Sequence, residues 1–274
     1  LIVQSTILKK FGTTLVIQIM NSKKNTSDKK WYFDLLYHEK NDKAKKNDGL
    51  APLLEMFKNE EEFIRHFIEN TIFFKKEHVL KQEEEYFKAR SDENPLVVRF
   101  STKSQKHFYF KSENGRGFSV KKFKNRKEAH DFSRKNKLYH KSDADEEIVV
   151  HIDKDGNYEV RNQIAKYSKI RVSQGTLISN FTNYTISHIW AKTEHPLFFT
   201  ALWNVTLIPT YLGFILDKPD ENSEIVRKLK LIMQGLCYEF YKPSIFNKKE
   251  IENLNISIEF AKKCQSENYN FKFI

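Results

Sequence analysis

Histidine and asparagine side chains occur at the two ends of a loop in the stretch from Tyr184 to Lys218. The apolar run that begins at Tyr184 predicts a strand ending at His188. A second run, opening at Asn204, predicts another strand, which is followed by a helix from Thr210. A histidine at a strand end suits general-base chemistry, because imidazole titrates near neutral pH and a carbonyl can orient its second nitrogen. Asn204 can hydrogen-bond backbone across the loop, and so it would brace the histidine.

The order of strand, loop, strand and helix, with His188 and Asn204 at these places, resembles the ββα-metal finger of the HNH (His-Me finger) endonucleases. The resemblance covers about 35 of the 274 residues. It implies that His188 is the general base, that Asn204 is the residue bracing the loop, and that Mg²⁺ or another divalent cation such as Mn²⁺ is the cofactor. Within that family, the resemblance suggests a type II restriction endonuclease.

Two ligand places of that family hold residues that do not match its pattern. Ser187 precedes the general base, where the family often has aspartate, and Gly213 stands on the predicted helix, where the family has a His or Asn ligand. Because hard divalent cations prefer oxygen ligands, Asp217 and Glu194 are the predicted metal ligands, with His195 as a further candidate. Other interpretations stay open: a copy that binds DNA without cutting it, a ligand lost at position 213, or an accidental likeness in which the histidine belongs to the core.

The charge balance of the chain predicts a polyanionic partner. Lys and Arg number 47 against 36 Asp and Glu, a net charge of +11, which favours nucleic acid over a merely solvated lysine surface. An aromatic content of 14% argues against disorder. No run approaches the roughly 20 apolar residues of a membrane span, and no secretory signal is visible at the start, so we expect a cytoplasmic protein with no membrane partner. Cys237 and Cys264 lack the paired spacing of a zinc site.

A basic strand-helix segment precedes the histidine stretch. Three short runs at 96–100, 106–110 and 118–123 alternate basic and aromatic residues, with a turn at Asn114-Gly115, and Asn125 with Glu128 predicts a capped helix after them. The part GFSVKKFKNRKEA, residues 117–129, resembles the three-strand-plus-helix DNA-binding domain of the AP2 type. A solvated lysine-rich sheet face is the alternative. The predicted DNA-contacting side chains are Arg99, Arg116, Lys121, Lys122, Lys192 and Lys218.

The remaining segments predict strands at 13–20 and 31–37, helices through 53–68 and 75–91, and a hairpin of 146–153 with 158–162 around Asp155-Gly156. The run 153–159 does not fit an EF-hand calcium loop. Asp153 with Glu159 does not complete a PD-(D/E)xK nuclease site, because Arg161 stands where that site has lysine. Asn222 and Asn247 are predicted caps of two further helices, which we expect to support the strand-loop-strand unit.

These observations predict an α+β protein of three parts. Residues 1–94 form an N-terminal α+β region, 95–145 a basic strand-helix module for DNA recognition, and 146–274 an HNH-like catalytic domain. The expected function is metal-dependent cleavage of double-stranded DNA, of the restriction or phage-defence kind, with a homodimer as one arrangement for cutting both strands. The alternative is a non-catalytic DNA-binding protein.

Overall fold

The computed structural model of the chain describes residues 49–88, 95–101, 104–111, 118–119, 122–141, 147–172, 181–217 and 223–274. Within these ranges the protein is α+β, as the sequence predicted, with one four-stranded and one five-stranded sheet. The predicted strands at 13–20 and 31–37 lie outside the described residues. None of the described helices is both long and apolar enough to cross a membrane.

The first described elements are helix α1 (Leu50–Leu54), helix α2 (Glu60–Asn70), strand β1 (Ile72–Phe73) and helix α3 (Lys76–Lys88). The predicted cap of α2 is confirmed. The side chain of Asn59 accepts a hydrogen bond from the Glu62 backbone at 2.9 Å, and Glu62 accepts one from the Lys58 backbone at 2.7 Å. These two bonds satisfy amide groups that a helix start leaves without intrahelical partners.

The five-stranded sheet is built from β2 (Leu96–Val98), β3 (Phe108–Lys111), β4 (Phe118–Ser119), β5 (Leu138–Lys141) and β6 (Glu147–Ile152), in the order β2-β6-β5-β3-β4. β3 and β4 are antiparallel, as the predicted turn at 114–115 requires. β2 lies at the opposite edge, parallel to β6, so the three predicted strands are not consecutive neighbours. Helix α4 (Arg126–Lys135) begins at its predicted cap, Asn125, and packs its buried Ala129 on this sheet.

A helix replaces the hairpin predicted around Asp155-Gly156. Helix α5 (Tyr158–Ser168) follows β6 directly. The buried carboxylate of Asp153 accepts hydrogen bonds from the backbone of Gly156 at 2.6 Å, Tyr158 at 3.1 Å and Glu159 at 2.8 Å. The prediction of a second strand was therefore wrong, because Asp153 satisfies the first amides of a helix.

The stretch singled out for its chemistry folds in the predicted order. Strand β7 (Tyr184–His188) is followed by the short helix α6 (Pro196–Phe199), strand β8 (Val205–Pro209) and helix α7 (Thr210–Asp217). β7 and β8 are antiparallel over their whole length, with His188 opposite Val205. β1 and β9 (Lys272–Phe273) extend this pair to the four-stranded sheet β7-β8-β1-β9.

Three C-terminal helices complete the chain: α8 (Glu224–Tyr241), α9 (Lys248–Asn253) and α10 (Asn255–Ser266). The capping box of Asn247 with Glu250 is confirmed. α8 is capped by Ser223, and the predicted cap Asn222 lies outside the described residues. α8 and α10 approach closely, since a Cβ added at Gly235 would lie 1.8 Å from the Ser257 carbonyl oxygen. The stripe from Ile225 to Tyr241 packs in the same core as β8.

Two hydrophobic cores organise the described residues. One joins residues 50–79 to residues 160–269 around the four-stranded sheet, and the other lies between α4 and the five-stranded sheet, over residues 96–152. β1, from the predicted N-terminal region, therefore pairs inside the sheet that carries His188. Both cysteines, Cys237 and Cys264, are buried free thiols.

Candidate active site

His188 occupies the last position of β7, and its imidazole lies on the segment that leads into β8. Its Nε2 is 2.9 Å from the carbonyl oxygen of Phe199, and its ring stacks on the Phe199 ring with centroids 5.5 Å apart and planes 12° from parallel. A carbonyl oxygen can only accept, so Nε2 must carry the proton. Nδ1 of the neutral ring is then the nitrogen with a lone pair, and no partner among the described residues bonds to it.

The pKa of His188 lies below the near-neutral value that the sequence analysis expected for an imidazole. The pKa of His188 is lowered to about 4, mainly by burial and to a smaller extent by the positive charge of Arg99, while the hydrogen bond to Phe199 acts in the opposite direction. The physical cause is desolvation, which disfavours the charged imidazolium. His188 is therefore neutral at pH 7, which is the form that a general base requires.

Asn204 hydrogen-bonds backbone on both sides of the loop, as the sequence predicted. Its Oδ1 accepts from the Trp190 backbone at 2.8 Å, and its Nδ2 donates to the Phe198 carbonyl at 2.9 Å. Its own backbone carbonyl accepts from Ile189 at 2.9 Å. The side chain is completely buried, so these bonds form away from water. Asn204 thus ties the end of β7 to the segment that presents the carbonyl partner of His188.

Two side chains from α3 also hold this segment, and the sequence interpretation missed them. Gln82 contacts the backbone of Thr200 and Leu202, and Tyr86 hydrogen-bonds the Thr200 hydroxyl. They lie about a hundred residues before the loop, in a helix whose sequence is strongly charged. The burial of a glutamine in such a helix is decided by tertiary contacts, and no local pattern could have marked it.

Arg99 and Lys192, two of the predicted DNA contacts, lie at the His188 loop. The Arg99 backbone donates to the Thr193 carbonyl at 3.0 Å, which joins the end of β2 to the loop after β7. The charge of Arg99 reaches His188, since it contributes to lowering the pKa of that imidazole. Lys192 is exposed on the same loop, with Nζ 4.7 Å from the Phe198 ring centre. A basic rim therefore borders the histidine.

For the other predicted DNA-contacting side chains, no contact with the His188 loop is observed in the described part of the chain. Lys122 is exposed just before α4, on the five-stranded side of the molecule. Arg116, Lys121 and Lys218 lie outside the described residues.

The positions that correspond to metal ligands in the resemblance are closed by packing. The Ser187 hydroxyl is buried and has no hydrogen-bond partner among the described residues, and the same holds for Thr206, its cross-strand partner on β8. Gly213 packs directly on β7, because a Cβ there would lie 2.1 Å from Cγ2 of Thr185. A side chain at position 213 would require the Thr185 methyl group to move, so the packing of α7 on β7 does not favour the interpretation that a ligand was lost there.

The predicted ligands Asp217 and Glu194 are not assembled into a metal centre. Asp217 is exposed at the end of α7, and Glu194 lies in the loop before α6. No group of three or more His, Cys, Asp or Glu side chains in the described part of the chain is arranged to hold a metal ion. These residues, as placed, do not fit a divalent cation.

His195, the third candidate ligand, serves as a helix cap. Its Nδ1 accepts a hydrogen bond from the Leu197 backbone at 3.2 Å at the start of α6. Its ring contacts His140 on β5 edge to face, with centroids 5.4 Å apart, and His107 stacks on His140 at 5.6 Å. The three rings form a second histidine-containing region, between the loop and the five-stranded sheet.

Comparison with known families gives one match. A family model described as "Uncharacterised protein PM1201" matches residues 74–272, a range that contains α3, the core of the five-stranded sheet and the whole unit from β7 to α7. No curated protein matches the chain, and no solved structure does.

Proposed function

We propose that the chain, which belongs to the family described as uncharacterised protein PM1201, is an endonuclease that hydrolyses phosphodiester bonds of double-stranded DNA, with His188 as the general base. The observation that carries the proposal is the geometry of one imidazole. His188 donates Nε2–H to Phe199, which leaves Nδ1 unprotonated. Asn204 bonds to both sides of the loop that sets this geometry.

The chemical step follows from the state of that ring. Nδ1 of His188 takes a proton from a water molecule as the water oxygen forms a bond to phosphorus. The bond from phosphorus to the leaving oxygen breaks, and that oxygen keeps the electron pair and takes a proton from solvent. A positioned general base contributes about 10²- to 10⁴-fold to such a reaction. The neutral imidazole is a weak base when its pKa is about 4. A bound phosphate group raises that basicity, because its negative charge favours the imidazolium that forms.

Arg99 and Lys192 supply the positive charge that the substrate requires. Phosphate contacts by basic side chains contribute most of the sequence-independent affinity for DNA, and they make it depend on salt. Arg99 is the better placed of the two, since its charge already acts on the His188 ring. Its guanidinium would bind the phosphodiester whose phosphorus faces Nδ1.

Restriction-type activity is the form of this function that the net charge of +11 and the basic strand-helix segment favour. Recognition would fall to the predicted contacts Arg116, Lys121 and Lys122, with Lys218 contacting phosphate near the cleavage unit. A homodimer would bring one His188 to each strand. The predicted need for Mg²⁺ or Mn²⁺ is tested separately, by comparing cleavage with metal and with chelator.

The test is plasmid cleavage by purified protein, with wild type beside His188→Gln and His188→Ala. His188→Gln keeps a donor for the Phe199 carbonyl and lacks the base, so cleavage is expected to fall at least about 100-fold while the fold is retained. His130→Ala, at a half-buried position of α4, is the matched control and should cut like wild type. Cleavage that persists in both His188 variants contradicts the assignment of this site.

A non-catalytic DNA-binding protein is the second candidate, and the packing of Gly213 on Thr185 favours it. In this case wild type binds DNA without cutting it at any divalent-metal concentration. Binding by wild type and His188→Gln would then be equal, and would weaken steeply between low and moderate salt. A complex that is insensitive to salt, or no complex at all, would contradict both candidates.

A further inference from the structure

Four successive carbonyl groups in the segment before β8 have individual partners. The Phe198 carbonyl accepts from Asn204 Nδ2 at 2.9 Å, and the Phe199 carbonyl lies 2.9 Å from His188 Nε2. The Thr200 carbonyl accepts from Gln82 Nε2 at 2.9 Å, and the Ala201 carbonyl accepts from the Asn204 backbone at 2.9 Å. The carbonyl that orients His188 therefore lies between one carbonyl fixed by Asn204 and one fixed by Gln82.

Gln82 uses both ends of its amide on this segment. While Nε2 donates to the Thr200 carbonyl, Oε1 accepts from the Leu202 backbone at 2.7 Å. The residue is 1% exposed, so neither backbone group could turn to water if the amide were removed. Tyr86, one turn later on α3, holds the Thr200 side chain through its hydroxyl. The residue after Phe199 is thus fixed through both its backbone and its side chain.

We infer that Gln82 is a positioning residue, which holds the Phe199 carbonyl in place through its neighbours and so fixes the tautomer of His188. Asn204 holds the segment from the β7 side and Gln82 holds it from α3. A rotation of the peptide between residues 199 and 200 would break the bond to His188. Gln82 opposes that rotation because it fixes the next two peptides, through the Thr200 carbonyl and the Leu202 amide. The catalytic meaning of this role rests on the proposed function, but the structural role does not.

The experiment reads the tautomer of His188 by nitrogen NMR of protein labelled in histidine, near pH 7. In wild type the Nε2–H form is expected to dominate. Gln82→Met has nearly the same length without an amide, and it should lower the ratio of the Nε2–H to the Nδ1–H form about tenfold, the equivalent of one hydrogen bond. Gln163→Leu is the control, because Gln163 also contacts Gln82, at 3.4 Å, but no bond joins it to the segment.

A conservative variant separates positioning from general stability. Gln82→Glu buries a carboxyl whose pKa is raised by burial, and in its protonated form it can donate to Thr200 and accept from Leu202. At about pH 5 it should restore the wild-type tautomer. If Gln82→Met does not fold, Gln82→Asn is measured in its place, since it keeps the amide on a shorter side chain. A His188 tautomer ratio that is unchanged in a folded Gln82→Met or Gln82→Asn protein overturns the inference.

The two proposals fail in different ways. If wild type does not cleave DNA but the tautomer shifts in Gln82→Met, the endonuclease proposal fails and the role of Gln82 stands. If wild type cleaves DNA and Gln82→Met cuts equally fast, with an unchanged tautomer, the role of Gln82 fails alone. When both are right, Gln82→Met should lower kcat about tenfold and leave DNA affinity unchanged.

Discussion

Two neighbouring regions differ in whether their buried polar atoms have hydrogen-bond partners. One is the segment between β7 and β8, and the other is the cluster of His107, His140 and His195. In the segment, the carbonyls from Phe198 to Ala201 all have hydrogen-bond partners, and His188 donates to one of them. In the cluster, His140 is 2% exposed, and both of its ring nitrogens lack a hydrogen-bond partner within the described ranges. One region is a satisfied polar network, and the other contains an unsatisfied polar group.

The pKa values of the two histidines are lowered by the same main cause but differ in what opposes it. The pKa of His140 is lowered to about 3, mainly by burial and also by the neighbouring His195 and His107. For His188 the bond to Phe199 opposes the effect of burial, and the pKa falls only to about 4. A satisfied network fixes orientation, whereas an unpartnered imidazole costs stability and fixes nothing. This difference favours His188, and not His140, as the functional histidine.

The largest effect on stability is expected when Asn204, which braces the segment between β7 and β8, is replaced. Asn204→Ala leaves the Trp190 amide and the Phe198 carbonyl buried without partners, so the free energy of unfolding should fall by about 3 kcal/mol. Urea denaturation measures it. Asn162→Ala, which loses one exposed contact to Glu159, is the control and should change stability by less than about 0.5 kcal/mol. A loss below about 1 kcal/mol for Asn204→Ala would show that water replaces the brace.

The second largest effect should be a loss of stability in acid that comes from His140. The folded pKa of His140 lies below the unfolded value of 6.5, so its stability contribution is complete above pH 6.5 and is lost as the pH falls toward about 3. His140→Leu should therefore gain about 2 kcal/mol on wild type between pH 6.5 and about pH 4.5. Denaturant melts at both pH values measure the difference. Parallel pH profiles for wild type and His140→Leu would mean that His140 finds a partner in solution.

The contact between α7 and β7, next to the segment of bonded carbonyls, should give an effect of intermediate size. Gly213→Ala should lower the free energy of unfolding by about 1 to 2 kcal/mol, because its Cβ would meet the Thr185 methyl group. Thr185→Ser removes that methyl and keeps the hydroxyl, so the double variant should recover most of the loss. Thermal unfolding of the four proteins gives the coupling energy. Additive effects would indicate that the helix moves away from the strand without cost.

The smallest effect on the free energy of unfolding is expected when His140 is replaced and stability is measured near neutral pH. His140→Leu removes two buried unbonded nitrogens and keeps an apolar side chain beside Phe108, so the protein should gain about 1 kcal/mol near pH 7.5. DNA binding and cleavage should not change. A loss of more than about 1 kcal/mol would show that the unbonded state is not the one populated in solution.

Local patterns were sufficient for several elements. The caps at Asn59, Asn125 and Asn247 were predicted correctly, because a side-chain oxygen bonded to a backbone amide three residues later is a local interaction. The strand ending at His188 and the helix from Thr210 were predicted for the same kind of reason. The hairpin at Asp155-Gly156 was wrong, since the same residues also suit a helix start, and the buried Asp153 decides between the two.

The sequence by itself determined the α+β composition, the basic charge, and the spacing that places His188 and Asn204 at the two ends of one loop. Only the tertiary structure decided that Gln82 completes the brace, that Arg99 lies beside His188, and that β1 pairs with β8. It also decided that Ser187 and Gly213 are packing positions. The reason is physical, because caps and periodicity act over a few residues. Desolvation and backbone contacts between distant segments exist only once the chain has folded.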